Sequence, residues 1–156
     1  LKKGLDFDND LLNQLDVVVA SMHVAGSEEK DNTNRLIKAV ENPNVHMIGH
    51  LSGRLLLERA PQKLNQMAVI DACAETGTWI ELNANPYRLD LDWRHWQYAK
   101  SKGVKCVINC DAHRNKHAGF LRIGTDIARK GWLTKADVIN TLPLEKLHKE
   151  LSRKRG

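Results

Sequence analysis

The chain has 156 residues, the size of one ordinary domain, and its 42% hydrophobic and 28% charged residues make a soluble globular balance that can bury a core. No apolar run approaches the roughly 20 residues of a membrane-crossing helix, and no basic-then-apolar leader opens the chain, so a cytoplasmic protein without a membrane partner is expected. Part of the formal net charge of +5 comes from Lys146, Lys149, Arg153, Lys154 and Arg155, a basic tail that fits either a polyanion partner or a solvated helix end.

In chain order, the start at Leu1-Lys2-Lys3 without an initiator Met reads as a fragment, a processed product or a chain whose leader is missing. Four short apolar, β-branched runs then alternate with amphipathic stretches. The strand candidates are Asp16 to Met22, Val45 to Gly49, Trp79 to Leu82 and Lys105 to Asn109; the helix candidates are Glu28 to Glu41, Lys63 to Thr76, Asp92 to Lys102 and about Lys116 to Lys130. Gly77, Gly103 and Gly131 stand where helix C-terminal caps belong. A short helix is expected to start at Thr134 and run over Lys135-Ala136-Asp137, and Pro143 is expected to open a last one.

Strands apolar on both faces and separated by helices imply an α/β domain with about four parallel strands covered by helices, as a barrel or an open doubly wound sheet. Neither GxGxxG nor GxxxxGK[ST] occurs, which removes the dinucleotide and P-loop readings. The three cysteines, Cys73, Cys106 and Cys110, contain no CxxC and read as buried, reduced thiols.

The chemistry gathers at strand ends. His23, His50 and the pair Asp111 and His113 each follow a different strand candidate by a few residues. In parallel α/β folds, loops at the carboxyl ends of strands converge on one mouth. Imidazole and carboxylate together suit zinc, manganese or iron in a hydrolytic centre that activates water. Four substrate-side candidates share that rim. Arg54 and Arg88 have the chemistry to clamp phosphate, and Asn83 and Asn85 to fix a water or a sugar hydroxyl; equally, Arg88 has Asp90 and Asp92 within reach as ion-pair partners. His46, His95, His117 and His148 read as packing or surface residues, and Trp79, Trp93, Trp96 and Trp132 as core or helix-packing residues.

The stretches LDVVVASMH ending at His23, GHLSGRLLL from Gly49, ELNANPYRLDL from Glu81 and INCDAH ending at His113 resemble the later motifs of PHP (polymerase and histidinol phosphatase) domains. They are similar above all to the PHP domain that ends prokaryotic family X DNA polymerases. The segment from Arg129 to Leu144 is similar too, so the resemblance covers nearly the whole chain. It implies the C-terminal portion of a distorted (β/α)7 barrel, with up to three divalent ions, zinc or manganese, at its mouth. It also implies His23, His50, Asp111 and His113 as metal ligands, with His23, Asp111 and His113 in catalytic roles. The implied activity is phosphoester hydrolysis at DNA 3′ ends within a polymerase; the alternatives are a small-molecule phosphatase of the histidinol-phosphate kind or a non-catalytic module of the polymerase. Of the family's early motifs, the His-x-His pair, the Ser-Asp and the Thr-Asp-His are absent from this chain, and its one Gly-x-Glu string, Gly26-Ser27-Glu28, follows His23 where the family's glutamate motif should precede Leu1. About half of the implied metal shell is therefore here, and the expected partners are the missing N-terminal half of the barrel or a second copy.

Overall fold

A computed structural model of the chain describes residues 5–23 and 32–155. Four strands, β1 (Val19–Ala20), β2 (Met47–Ile48), β3 (Trp79–Asn83) and β4 (Cys106–Asn109), form one all-parallel sheet in sequence order. The expected strands are all present, although β1 and β2 are shorter than their apolar runs. At β1 a side chain interrupts the ladder, because the Val18 N–H donates to His46 Nδ1 at 3.1 Å instead of to a strand carbonyl.

Among the described residues six α-helices accompany the strands: α1 (Asn9–Leu12), α2 (Thr33–Val40), α3 (Gln66–Thr76), α4 (Trp93–Ser101), α5 (Leu121–Lys130) and α6 (Leu144–Arg155). The single turn α1 has no counterpart in the periodicity, being set by a local cap in which Asp8 Oδ1 accepts the Leu11 N–H at 2.9 Å. The first expected helix has its positions 28–31 outside the described residues. Asn65 and Asp92 cap α3 and α4 with their carbonyl and carboxylate oxygens. The stretch expected to be helical from Lys116 begins as a 3-10 segment, Asn115–Phe120, before α5 proper. A capping box between Thr134 and Asp137 starts the short helix Lys135–Asp137, and α6 follows Pro143, both as expected.

Gly77 and Gly103 adopt left-handed φ of 69° and 80° after α3 and α4, as caps should. Gly131 differs: its φ is −80°, and Trp132 takes the left-handed position instead. Packing explains the glycine, since a Cβ at 131 would stand 2.8 Å from Trp96 Cβ.

The register separates two faces of the sheet. On one, Val18, Ala20, Ile48, Ile80, Leu82 and Cys106 join the main core with α2 to α5. On the other, Met47, Trp79 and Val107 form a smaller cluster with Ile139 and Leu151, and further along the strands the residues turn polar, as Glu81, Asn83 and Asn109. Burial on both faces, expected of every strand, fails at β1, where Val17 and Val19 are 45% and 47% exposed. Two tryptophans also depart from expectation: Trp79 and Trp96 are buried, but Trp132 is 69% exposed and Trp93 lies at the surface beneath Lys130 Nζ, 4.6 Å from its ring centre. Trp132 has a left-handed backbone, with φ of 64°.

Cys73 and Cys106 are buried free thiols, with burial pushing Cys73 up to about 12 and Cys106 further, while Cys110 is only half-buried. From the basic tail, Lys154 Nζ donates to the carbonyls of Val40 and Thr76 and to Thr78 Oγ1, pinning α6 across the ends of α2 and α3. That lysine is committed to the fold.

Candidate metal centre

His23 and His50 follow β1 and β2, and Asp111 and His113 follow β4, so all four lie at the carboxyl ends of parallel strands. His50 and Asp111 adopt left-handed φ of 26° and 50°. Such a conformation is costly for residues with a Cβ and is found where surrounding contacts over-determine it. Those contacts are present: the His50 N–H donates to Glu81 Oε2 at 2.6 Å, and Asp111 Oδ2 accepts from Arg88 Nε at 2.9 Å and Asn83 Nδ2 at 3.2 Å. Burial alone would raise the Asp111 carboxyl, but the Asn83 hydrogen bond and the Arg88 charge outweigh it and hold it below the ordinary carboxylate value.

The histidines form two settings. His23 is exposed and meets the buried His50 edge-on, their ring centres 5.1 Å apart. Burial, with Arg88 nearby, lowers the His50 imidazole below its usual range, so it is neutral and able to ligate. His113 is largely exposed, its Nδ1 2.8 Å from the Asp111 carbonyl oxygen. A carbonyl only accepts, so Nδ1 carries the proton and Nε2 presents a free lone pair. The His113 N–H in turn donates to His117 Nδ1 at 3.2 Å, and the His117 ring stacks on Phe120. His117 therefore supports His113, a contact that its position at the start of a helix did not reveal.

Among the described residues, two buried atoms here have no hydrogen-bond partner, His50 Nδ1 and Arg88 Nη1. Orphaned buried polar atoms are rare and ask for a ligand, an ion or a water. Among the described residues, however, no three His, Cys, Asp or Glu side chains come together as a metal-holding group. The donors are of the right chemistry for zinc or manganese but are disposed as two pairs, His23 with His50 and Asp111 with His113.

Of the substrate-side candidates, Arg88 pairs with Asp111, not with Asp90 or Asp92, and keeps Nη1 free. Arg54 is engaged throughout its guanidinium: Nη1 binds Asp92 at 2.6 Å, Nε binds the Arg88 carbonyl at 2.8 Å, and Nη2 binds the Leu89 carbonyl. Asn83, expected to face substrate, is fully buried, and its amide bridges the Glu81 and Asp111 carboxylates. Asn85 shapes the turn, its Oδ1 accepting the Tyr87 N–H at 3.0 Å. Nearby, Asp90 accepts from the Ser52 N–H and hydroxyl, and burial raises its carboxyl nonetheless. Glu81 was missed from sequence, although an acid inside the apolar run Trp79-Ile80-Glu81-Leu82 is a signal: buried charge is tolerated only when hydrogen-bonded.

No helix among the described residues is long and apolar enough to cross a membrane. No protein-family model matches the chain. The DNA polymerase/3′-5′ exonuclease PolX of Bacillus subtilis (strain 168) is 38% identical over 150 residues, which is 96% of this chain and 26% of that protein. A probable phosphatase of Thermoanaerobacter sp. (strain X514) is 29% identical over 148 residues, 88% of this chain and 58% of that protein. A probable phosphatase of Acetivibrio thermocellus is 31% identical over 125 residues, 74% of this chain and 49% of that one. The chain thus spans about a quarter of the polymerase relative and between 49% and 58% of these two phosphatases. Joined to the parallel α/β fold, these similarities show that the chain resembles, over nearly its whole length, part of the PHP phosphoesterase-type domain of family X DNA polymerases.

Proposed function

We propose that this chain contributes one side of a divalent-metal phosphoesterase centre that hydrolyses phosphoester bonds at DNA 3′ ends within a polymerase-type protein. The observation that carries the proposal is that His23, His50 and Asp111 follow the carboxyl ends of three strands of one parallel sheet, His23 beside His50 and Asp111 beside His113, with His113 Nε2 left free by the Asp111 carbonyl. Support for DNA as substrate comes from the Bacillus subtilis relative, a DNA polymerase and 3′-5′ exonuclease.

In this reading His23, His50, Asp111 and His113 hold metal, zinc or manganese, and donors beyond the described residues complete the shell. Up to three divalent ions, as the family resemblance implies, would occupy the completed site. Such an ion supplies an acidified water and charge neutralisation at the phosphate. The chain's own residues do the rest. Arg88 Nη1, buried and unpartnered beside Asp111, is placed to donate to a phosphate oxygen, while Arg54 and Asn85 shape the loops that carry it. Burial keeps the His50 imidazole neutral, and the Asp111 carbonyl keeps the proton of His113 on Nδ1.

Elemental analysis after dialysis tests this, on the chain and its His113→Ala variant beside a polypeptide extended at its N-terminus. Retention of zinc or manganese by the extended protein, and its loss in the variant, is the expected result; absence of metal from all three would overturn the proposal. The probable phosphatases among the relatives favour a second reading, hydrolysis of small phosphomonoesters. Release of phosphate from a small ester at a rate matching or exceeding nucleotide release from a 3′-labelled oligonucleotide would select it.

A further inference from the structure

Glu81 lies in the middle of β3, is buried, and takes no part in the ligand set proposed above. Its carboxylate is nevertheless where three strands meet. Oε2 accepts the His50 N–H beyond β2 at 2.6 Å and Asn83 Nδ2 at 3.2 Å, and Oε1 accepts Asn109 Nδ2 from the end of β4 at 3.1 Å. Asn83 passes the connection on, its Nδ2 also lying 3.2 Å from Asp111 Oδ2. Gly49 packs beside this arrangement, and what requires a glycine there is Ser21 Oγ, with which a Cβ would collide.

A mid-strand acid is expensive to bury, and an apolar residue at 81 would complete the sheet without that cost. What the acid provides is an acceptor for a backbone N–H turned out of the strand by the left-handed φ of His50. Resting on the metal-centre reading above, we infer that Glu81 and Asn83 are positioning residues. Together they fix the backbone of His50 and the carboxylate of Asp111 relative to each other, across strands β2 and β4 that do not touch. Neither residue contacts metal or substrate in this arrangement; both act through the ligands they hold.

Glu81→Gln tests the inference because it preserves volume while replacing an acceptor oxygen by a donor, so the amide cannot meet the N–H donors at both of its ends. In the metal-free protein the His50 amide should exchange with solvent about 10- to 100-fold faster, the loss of one charge-assisted hydrogen bond. The Ile80 amide, bonded to the Lys105 carbonyl at 3.0 Å within the sheet, should keep its protection. Manganese(II) titration followed by electron paramagnetic resonance should show affinity reduced about 10- to 100-fold. Asn83→Ser should weaken manganese binding while leaving His50 exchange slow, and it carries the test if the Gln variant does not fold. Unchanged exchange and affinity would overturn the inference, as would a uniform loss of protection at His50 and Ile80 alike, which marks a merely structural role. Should the wild type take up no manganese, the metal reading fails by itself, and the His50 amide still decides whether Glu81 holds that loop.

Discussion

Along the outer side of β4, the Asn140 side chain behaves like a short strand: its Oδ1 accepts the Ile108 N–H at 2.7 Å and its Nδ2 donates to the Ile108 carbonyl at 3.0 Å, while Val138 bridges to Cys106. Along β1, no described residue pairs with the outer edge, and Leu15, Val17 and Val19 remain about half exposed. An open parallel sheet has two edges, and here the chain itself closes one of them. The difference teaches where further polypeptide would be added. An amide that satisfies both backbone groups leaves nothing for a further strand, whereas a bare apolar edge is a template for one.

Substitutions on the closed half should unsettle the chain by itself. Trp96→Ala should have the largest effect, about 4 kcal/mol by urea unfolding, because Trp96 is fully buried and Gly131 packs directly on it. Next comes Asp92→Asn, at about 2 kcal/mol near neutral pH, since Asp92 caps α4 and pairs with the nearly buried Arg54. Its hydrogen bonds from Arg94, then Arg54, hold the carboxyl below its ordinary value of 3.8. A depressed carboxylate stabilises the fold above that ordinary value and ceases to do so as pH falls towards the depressed one. Acid titration of unfolding should therefore show wild type and variant converging as the pH is lowered below 3.8.

Asn140→Ala should cost less, about 1.5 kcal/mol for two partly exposed hydrogen bonds, and should open the β4 edge to pairing. Sedimentation velocity would detect the resulting self-association, and a strictly unchanged mass would break the comparison. The smallest effect is expected at the other edge. Val19→Lys should change stability by no more than about 0.5 kcal/mol, because nothing described covers Val19. It should suppress any pairing of β1 with a second copy or with the rest of a barrel. A loss of stability as large as that of Asn140→Ala would mean that the β1 edge is covered after all.

Element types were legible in the sequence wherever the cause was local. Apolar β-branched runs gave all four strands, and Asp92, Gly77, Gly103 and Thr134 marked helix ends where they stand, whereas the second helix begins at Gln66, after its Asn65 cap, and not at Lys63. The spacing of His23, His50, Asp111 and His113 from strand ends was legible for the same reason, because parallel strands alternating with helices bring their carboxyl ends to one side. Partnerships were not legible. Arg88 had acids two and four residues away and chose Asp111, 23 residues on, because the loop after β3 folds across the end of β4. Asn83, a polar residue beside a presumed site, proved to be an internal strut.

By itself, then, the sequence determined the class of fold, the order of its elements and the residue types gathered at the strand ends, since periodicity, caps and turns act over a few residues. Only the tertiary structure decided which edge of the sheet is closed, which arginine keeps a free nitrogen, and that a buried glutamate accepts hydrogen bonds from both the loop after β2 and the end of β4. Each of those depends on groups 23 to 38 residues apart being brought within hydrogen-bonding distance, and no local pattern encodes such a distance.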